Sequence, residues 1–121
     1  MEKNILIVDD SESIRDLVSF TLQNEGYKVL VGIDGQDALK HFNGQEIHLV
    51  ITDLHMPVKD GISLIKEIRA MSGYSRVPIL FLTTESQHTK KIEAKEAGAT
   101  GWIVKPFVPE KLIAAINKVI R

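Results

Sequence analysis

The sequence predicts an α/β fold, (βα)5, in which five parallel strands form one doubly wound sheet and a helix follows each strand. Two observations support this prediction. Short apolar runs alternate with segments of helical periodicity from one end of the 121-residue chain to the other. The apolar runs are continuous rather than alternating, as is typical of parallel strands covered on both faces. Right-handed crossovers then place helices on both sides of the sheet.

The predicted strands are short and end abruptly. The second predicted strand, which follows Tyr27, has the weakest strand pattern. The five runs span residues 4–8, 28–31, 49–52, 79–82 and 102–104.

The segments between these runs carry apolar residues at helical spacing. The first predicted helix has Gly26 for its C-terminal cap. The second is short and can begin with a cap at Asp34, and the fifth has Pro109 in its first turn. The apolar residues that predict the first, second, third and fifth helices are Ile14, Leu17, Val18, Thr21 and Leu22; Ala38, Leu39 and Phe42; Ile62, Ile65 and Ile68; and Leu112, Ile113, Ile116, Val119 and Ile120.

The fourth predicted helix, from Gln87 to Ala97, is the exception. Its apolar stripe consists of Ile92, Ala94 and Ala97. So thin a stripe removes little area from water, at about 25 cal/mol per Å². We therefore expect this helix to be the least firmly packed, either as an ordinary surface helix or as a face built to shift.

Length and composition predict one globular domain. The chain has 121 residues, of which 44% are hydrophobic and 26% are charged, so we expect residues 1–121 to form a single domain without an effector domain. No apolar run approaches the roughly 18 residues of a membrane helix, and the start lacks a signal-peptide pattern. The absence of cysteine fits a cytoplasmic setting. We expect a monomer with no membrane partner.

Charge is unevenly distributed along the chain. Residues 1–60 carry 11 acidic and 5 basic residues, whereas residues 61–121 carry 5 acidic and 10 basic residues. The second half is therefore either a set of solvated faces or a docking surface for an acidic partner. A net charge of −1 argues against a nucleic-acid partner. The four scattered histidines do not predict a histidine metal site.

Reactive side chains stand at the carboxyl ends of four predicted strands. Asp9 and Asp10 follow the first, Asp53 the third, Thr83 the fourth and Lys105 the fifth. Because these strand ends share one edge of a parallel sheet, the side chains should meet there. Two carboxylates about 4 Å apart repel by roughly 4 kcal/mol at an effective dielectric of 20, so a pKa rises or a cation binds. Oxygen-only ligands favour Mg²⁺. Alternatively, one of Asp9 and Asp10 caps the first helix.

Asp53 is the best candidate for a nucleophile. A carboxylate oxygen can attack phosphorus and form an acyl phosphate. The protein then supplies positioning and charge, for which Lys105 and the Thr83 hydroxyl are suited. Turns at Met56-Pro57 and Asp60-Gly61 keep this end of the strand open.

These residues, in this order and spacing, resemble the receiver domains of bacterial two-component signalling, and most of all the stand-alone CheY-type chemotaxis response regulators. The resemblance spans nearly the whole chain and implies a flavodoxin/CheY-like sheet with strand order 2-1-3-4-5, an order taken from that family. The motifs that carry it are Asp9-Asp10, Asp53-Leu54-His55-Met56-Pro57, Asp60-Gly61, Leu82-Thr83-Thr84, Ala97-Gly98-Ala99 and Lys105-Pro106-Phe107.

The resemblance implies that Asp53 accepts a phosphoryl group from a histidine kinase, with a chemotaxis kinase expected. Asp9, Asp10, Asp53 and the backbone carbonyl of His55 would hold Mg²⁺, with Mn²⁺ as an alternative. The chain would be a regulator that catalyses its own phosphotransfer and dephosphorylation, not a turnover enzyme. His55 and Glu85 occupy positions that tune how fast water removes the phosphate.

The resemblance also implies how the signal leaves the site. Lys105 would pair with the phosphoryl group through a cis Lys105-Pro106 bond. Thr83 would be drawn to the phosphate, and Trp102 would change rotamer with it. Residues 87–120 would then present an output face to a partner, for which the flagellar motor switch protein is the first candidate.

Other functions stay open. A single-domain receiver outside chemotaxis could act as a phosphate sink. A metal-dependent phosphohydrolase usually has its nucleophile on the first strand and a second acid two residues later, whereas Asp9 and Asp10 are adjacent. A flavin binder of this topology would need a Ser/Thr/Gly-rich loop after the first strand. An unphosphorylated interaction module would not need these reactive residues.

Overall fold

The computed structural model describes residues 2–84 and 88–120, which form a parallel sheet covered by helices on both faces. The described strands are β1 (Asn4–Val8), β2 (Lys28–Gly32), β3 (Leu49–Asp53), β4 (Ile79–Thr83) and β5 (Gly101–Val104). The described helices are α1 (Glu12–Asn24), α2 (Gly35–Ala38), α3 (Gly61–Arg69), α4 (His88–Ala97) and α5 (Pro109–Val119), with a 3₁₀ turn at Leu39–His41. The predicted (βα)5 fold is confirmed.

The order of the strands determines where a site can form. The sheet runs β2-β1-β3-β4-β5 with every pair parallel, which confirms the expected order. The chain moves outward from β1 to β2 and then crosses back to β3 on the other side of β1. The carboxyl ends of β1 and β3 are therefore neighbours at the point where the strand order reverses, and ligands bind at such points.

Each face of the sheet has its own apolar core, because successive side chains of a strand point to opposite faces. Leu6 and Val8 pack on one face with buried side chains of α3 and Ala94 of α4. Ile5 and Ile7 pack on the other face with buried side chains of α1 and α5. Among the described helices, none is long and apolar enough to cross a bilayer.

The first two helices are capped by short polar side chains. Ser11 is the N-cap of α1 and accepts the Ile14 N–H at 3.3 Å, so the alternative that Asp9 or Asp10 caps this helix is wrong. Asp34 caps α2 as predicted, accepting the Asp37 N–H at 2.7 Å. Gly26 ends α1 with a φ of +88°, a conformation that favours glycine.

The helices bury fewer apolar side chains than the sequence pattern predicted. On α5, Leu112 and Ile116 are fully buried, whereas the other predicted positions are partly buried. On α3, Leu64 is buried and Ile62 only partly. The helix predicted to bury Leu39 and Phe42 ends at Ala38, and both side chains lie only partly buried at the margin of the core. On α1, Leu17 is 39% exposed. A helix on a flat sheet buries only the side chains that point directly at the strands.

α4 is thinly packed but firmly held at its C-terminal end. Of its described residues only Ala94 is buried, and Ile92 is 48% exposed, as the thin stripe predicts. Arg69 of α3 reaches across to the chain that follows α4, where its Nε donates to the Gly98 carbonyl at 2.9 Å. Its Nη1 donates to the carbonyl of Val77, just before β4, at 2.7 Å. Burial lowers the pKa of the Arg69 guanidinium.

We expect Arg69→Met to lower the free energy of unfolding by about 2–4 kcal/mol, because hydrogen bonds from a charged donor contribute about 1.5–3 kcal/mol each. Urea unfolding followed by circular dichroism measures the change. Arg76→Met is the matched control, since Arg76 is exposed and such surface changes usually stay within about 0.5 kcal/mol. Equal losses in the two variants would contradict the anchoring role of Arg69.

Candidate functional site

Asp53 is the last residue of β3, and its carboxylate is held from two sides. Its Oδ1 accepts the Leu54 N–H at 2.7 Å and lies 3.5 Å from the His55 nitrogen. Its Oδ2 lies 3.2 Å from Nζ of Lys105. The residue is 8% exposed. The Asp53 side chain is therefore oriented by the backbone that follows it and by the ammonium group of Lys105, which follows β5.

Asp9 and Asp10 follow β1 and have different surroundings. Asp9 is fully buried, accepts the Ser11 N–H at 2.9 Å on Oδ1, and lies 3.5 Å from Nζ of Lys105 on Oδ2. Asp10 is exposed. Lys105 thus contacts two carboxylates that the strand order has placed side by side.

The pKa of Asp9 is raised above its ordinary value of 3.8. Burial is the main cause, and the negative charge of Asp53 adds to it. The hydrogen bond from the Ser11 N–H and the charge of Lys105 act in the opposite direction without cancelling the rise. The surroundings of Asp9 therefore stabilise its ionised form less well than water does.

The three carboxylates fit a divalent cation. One oxygen each from Asp9, Asp10 and Asp53 lie within 4.8 Å of one another. Oxygens on opposite sides of an octahedral Mg²⁺ stand about 4.2 Å apart, twice the usual bond length. The separations of up to 4.8 Å are therefore close to those that a shared cation needs. The donors are all oxygen, which suits Mg²⁺ and disfavours softer metals.

The remaining predicted residues lie along the same edge. Thr83 ends β4, is buried, and accepts the Lys105 N–H on its carbonyl at 2.6 Å. The Lys105-Pro106 peptide bond is cis, as the family resemblance implied. His55 follows the site with an exposed side chain, whereas Glu85 lies outside the described residues.

Trp102 lies away from the carboxylates. It is on β5 opposite Phe81 of β4, with ring centroids 6.1 Å apart. The indole is 42% exposed. It therefore contributes no group to the acidic cluster, and any role in the site has to act through the strands.

Two residues shape the site in ways that the sequence did not indicate, because Gly61 was predicted only as part of a turn and Arg15 was not singled out. Gly61 donates its N–H to the Leu54 carbonyl at 3.0 Å, and a Cβ at this position would overlap the carbonyl oxygen of Asp53. Nη1 of Arg15, on α1, donates to the Asp9 carbonyl at 2.7 Å. The Asp60-Gly61 pair signals only a turn, and no sequence pattern connects Arg15 to Asp9.

The loop from β3 to α3 contains an unusual backbone conformation. Val58 has a φ of +68° and is 82% exposed, although β-branched residues rarely adopt left-handed conformations. Contacts on its C-terminal side hold the loop: the Lys59 carbonyl accepts the Gly35 N–H at 3.2 Å, and Asp60 caps α3 through the Ser63 N–H at 2.8 Å.

Comparison with known sequences identifies the family that the sequence motifs resemble. The family model for the response regulator receiver domain matches residues 5–117. The protein PetR of Rhodobacter capsulatus is 38% identical over 98% of this chain and 48% of its own length. The alkaline phosphatase synthesis transcriptional regulatory protein PhoP of Bacillus subtilis is 36% identical over 100% of this chain and 50% of its own. The chain thus spans about half the length of these curated relatives.

Solved structures of similar chains share the fold over nearly their full length. The chemotaxis response regulator CheY4 of Vibrio cholerae superposes with a TM-score of 0.93 and 45% identity, over 99% of this chain and 100% of that chain. The receiver domain of the sensor histidine kinase PA1611 of Pseudomonas aeruginosa superposes with a TM-score of 0.90 and 28% identity, over 98% of each chain. That structure contains a magnesium ion coordinated in its active-site cleft.

We expect Asp9→Asn to raise the free energy of unfolding by about 1–2 kcal/mol at pH 7 in the presence of EDTA. The like-charge repulsion that it removes is up to roughly 4 kcal/mol, and Lys105 already offsets part of it. The asparagine oxygen can still accept the Ser11 N–H. Urea unfolding measures the gain, with Asp16→Asn on the exposed side of α1 as the control.

The sign of the pH dependence follows from the raised pKa of Asp9. Its folded form binds the proton more tightly than the unfolded form, so the wild type loses stability as pH rises through the folded pKa. The advantage of Asp9→Asn should therefore shrink as pH falls and disappear below the ordinary value of 3.8. An advantage that is constant between pH 4 and pH 7 would show that the charge of Asp9 is not its cause.

Proposed function

Because this chain belongs to the response regulator receiver domain family, we propose that Asp53 is its phosphoacceptor and that Lys105, Thr83, Asp9 and Asp10 serve the phosphorylation of Asp53. Receiver domains are signalling phosphoacceptors that histidine kinases phosphorylate, and they act as phosphorylation-dependent switches. They bind Mg²⁺ in an acidic pocket. The observation that carries the proposal is the position of Lys105 Nζ, 3.2 Å from Asp53 and 3.5 Å from Asp9.

The proposed reaction is a transfer of one phosphoryl group. A carboxylate oxygen of Asp53 attacks the phosphorus, an oxygen–phosphorus bond forms, and the bond to the donor breaks with its electron pair leaving on the donor. The Leu54 N–H keeps the carboxylate in place during this step. Lys105 exchanges its contacts with the carboxylates for contacts with the phosphoryl oxygens, and the Thr83 hydroxyl donates to another oxygen.

We propose that the cation is held by Asp9, Asp10, Asp53 and the backbone carbonyl of His55, and that Mn²⁺ can replace Mg²⁺. When bound, the cation neutralises charge that develops on the phosphoryl oxygens. The chain's own residues then govern the lifetime of the product. We propose that His55 and Glu85 tune the attack of water on phosphorylated Asp53, so that the domain removes its own phosphate without acting as a turnover enzyme.

For the output, we propose a stand-alone CheY-type role in chemotaxis, with residues 87–120 as the output face. The similarity to CheY4 supports it, because that chain is covered over its whole length. An open groove of about 710 Å³ lies on this face between β5 and α5, and its lining includes Trp102, Lys105 and Lys111. Its lysines suit an acidic segment of a partner. The flagellar motor switch protein is the partner that we propose, and a chemotaxis histidine kinase is the proposed donor.

A second output is supported by the relatives that are twice as long. PhoP is described as a transcriptional regulatory protein, and this chain matches half of it. The domain could then pass its signal to a DNA-binding partner segment instead of the motor. A phosphate sink, which removes phosphoryl groups without any output contact, is the third alternative.

We expect a single phosphoryl adduct after incubation of the wild type with acetyl phosphate and Mg²⁺, because the acidic cluster would hold the cation, and the cation and Lys105 together would offset the negative charge of the incoming phosphoryl group. Intact-mass spectrometry measures it. No adduct is expected with EDTA or in Asp53→Asn, whereas the control Asp16→Asn should be phosphorylated like the wild type. Turnover of a phosphomonoester without an adduct would instead favour a phosphohydrolase.

We expect the beryllofluoride-loaded protein to bind the purified flagellar motor switch protein at least tenfold more tightly than the unloaded protein, as measured by calorimetry. Lys111→Ala should weaken this binding by about 1 kcal/mol if an acidic segment enters the groove. Lys28→Ala, an exposed lysine on β2 at the opposite edge of the sheet, is the control. Binding that does not depend on loading would contradict the motor as the target.

A further inference from the structure

Trp102 is held between the sheet and two lysines of α4. Nζ of Lys91 lies 5.5 Å and Nζ of Lys95 lies 5.4 Å from the centroid of the indole. The two lysines are four residues apart, so they project from the same face of the helix. A cation at this distance is attracted by the electron-rich face of a tryptophan ring. Both lysines therefore favour the observed position of the indole.

The same sheet face connects Trp102 to the phosphorylation site. Phe81 pairs with Trp102 and Thr83 pairs with Val104. Because side chains two residues apart share a face, Thr83 lies on the face that carries Phe81 and Trp102, one step nearer the carboxyl edge. An indole that rotates along β5 toward this edge approaches Thr83. We expect that movement to take the indole away from the position in which both lysines lie over its ring.

Open space adjoins the indole, and α4 is thinly packed over the sheet. The indole borders the groove of about 710 Å³, whose lining also includes Thr84 and Lys105. Of the described residues of α4 only Ala94 is buried. Arg69 anchors the chain after α4 at Gly98, and the two lysine contacts with Trp102 join α4 directly to β5.

We propose that Lys91 and Lys95 are positioning residues that favour the unphosphorylated arrangement by holding Trp102 against α4. This inference rests on the proposed function, together with the movement of Thr83 and Trp102 on phosphorylation of Asp53 that the family resemblance implies. Loss of one such contact changes an equilibrium about two- to fivefold. Because the apparent affinity of a ligand scales with the populated fraction of the state that binds it, up to the same factor appears in the affinity of the Asp53 site for a phosphoryl mimic.

The test uses beryllofluoride with Mg²⁺ as the phosphoryl mimic. Lys91→Met and Lys95→Met keep the apolar stem of the side chain and remove the charge. We expect each variant to bind beryllofluoride about two- to fivefold more tightly, and the double variant up to about 25-fold more tightly. Fluorine NMR measures bound beryllofluoride without depending on Trp102. In the ligand-free double variant, the single tryptophan should be more accessible to acrylamide quenching.

Two control variants separate the effect of the cations over the indole from a general effect of charge on α4. Lys90→Met removes a neighbouring lysine of α4 that pairs with Glu93 at 3.6 Å, and it should leave beryllofluoride affinity unchanged. Lys95→Arg keeps a cation over the ring and should behave like the wild type. Urea unfolding confirms that each variant is folded.

The outcomes distinguish this inference from the proposed function. A wild type that binds no beryllofluoride in the presence of Mg²⁺ overturns the proposed function, and with it the coupling. A wild type that binds beryllofluoride, together with a double variant of equal affinity and equal quenching, overturns the role of Lys91 and Lys95 alone. Tightening in Lys90→Met as large as in Lys91→Met also overturns it, because it would show a general effect of helix charge.

Discussion

Negative charge concentrated at one edge of the sheet is the constraint on which the structure of the site depends. The strand order makes Asp9 and Asp53 neighbours, and burial of Asp9 leaves little water to screen them. Lys105 contacts both carboxylates, so its cation stabilises a cluster that would otherwise repel itself. An ion that binds at this edge adds its charge to contacts that Lys105 already makes. Stability and the signalling role that we propose therefore involve the same three charges.

The C-terminal end of α4 is held differently from the body of the helix, which is how a local change of charge could reach a surface. Arg69 donates hydrogen bonds to the carbonyl of Gly98, just after α4, and to the carbonyls of Ser75 and Val77, which precede β4. The body of the helix has one buried side chain and two lysines over Trp102. Hydrogen bonds to a charged donor are specific in direction, whereas attraction to a ring face is weak and easily exchanged. Movement of α4 relative to β5 is thus easier than its detachment from α3.

The sequence was sufficient to predict what depends on local pattern. Continuous apolar runs located all five strands to within one residue at each end, and Asp34 and Gly26 marked helix ends because their effect is confined to one turn. The convergence of Asp9, Asp53 and Lys105 followed from the rule that strand ends share an edge. Contacts such as those of Arg15 and Arg69 depend on the packing of whole helices, so no local pattern could predict them. The strand order came from the family resemblance, since several orders satisfy the same apolar runs.

Val58 shows how the loop that follows Asp53 tolerates change. A non-glycine residue in a left-handed conformation costs about 1–2 kcal/mol, yet the loop keeps this shape because Gly35, Lys59 and Asp60 fix its far end. The shape is thus imposed by the flanks and not by the valine, whose side chain is 82% exposed. Glycine or asparagine would relax this strain in one mutational step. Replacing Val58 should therefore raise the thermal stability of the domain without changing any of the proposed site residues.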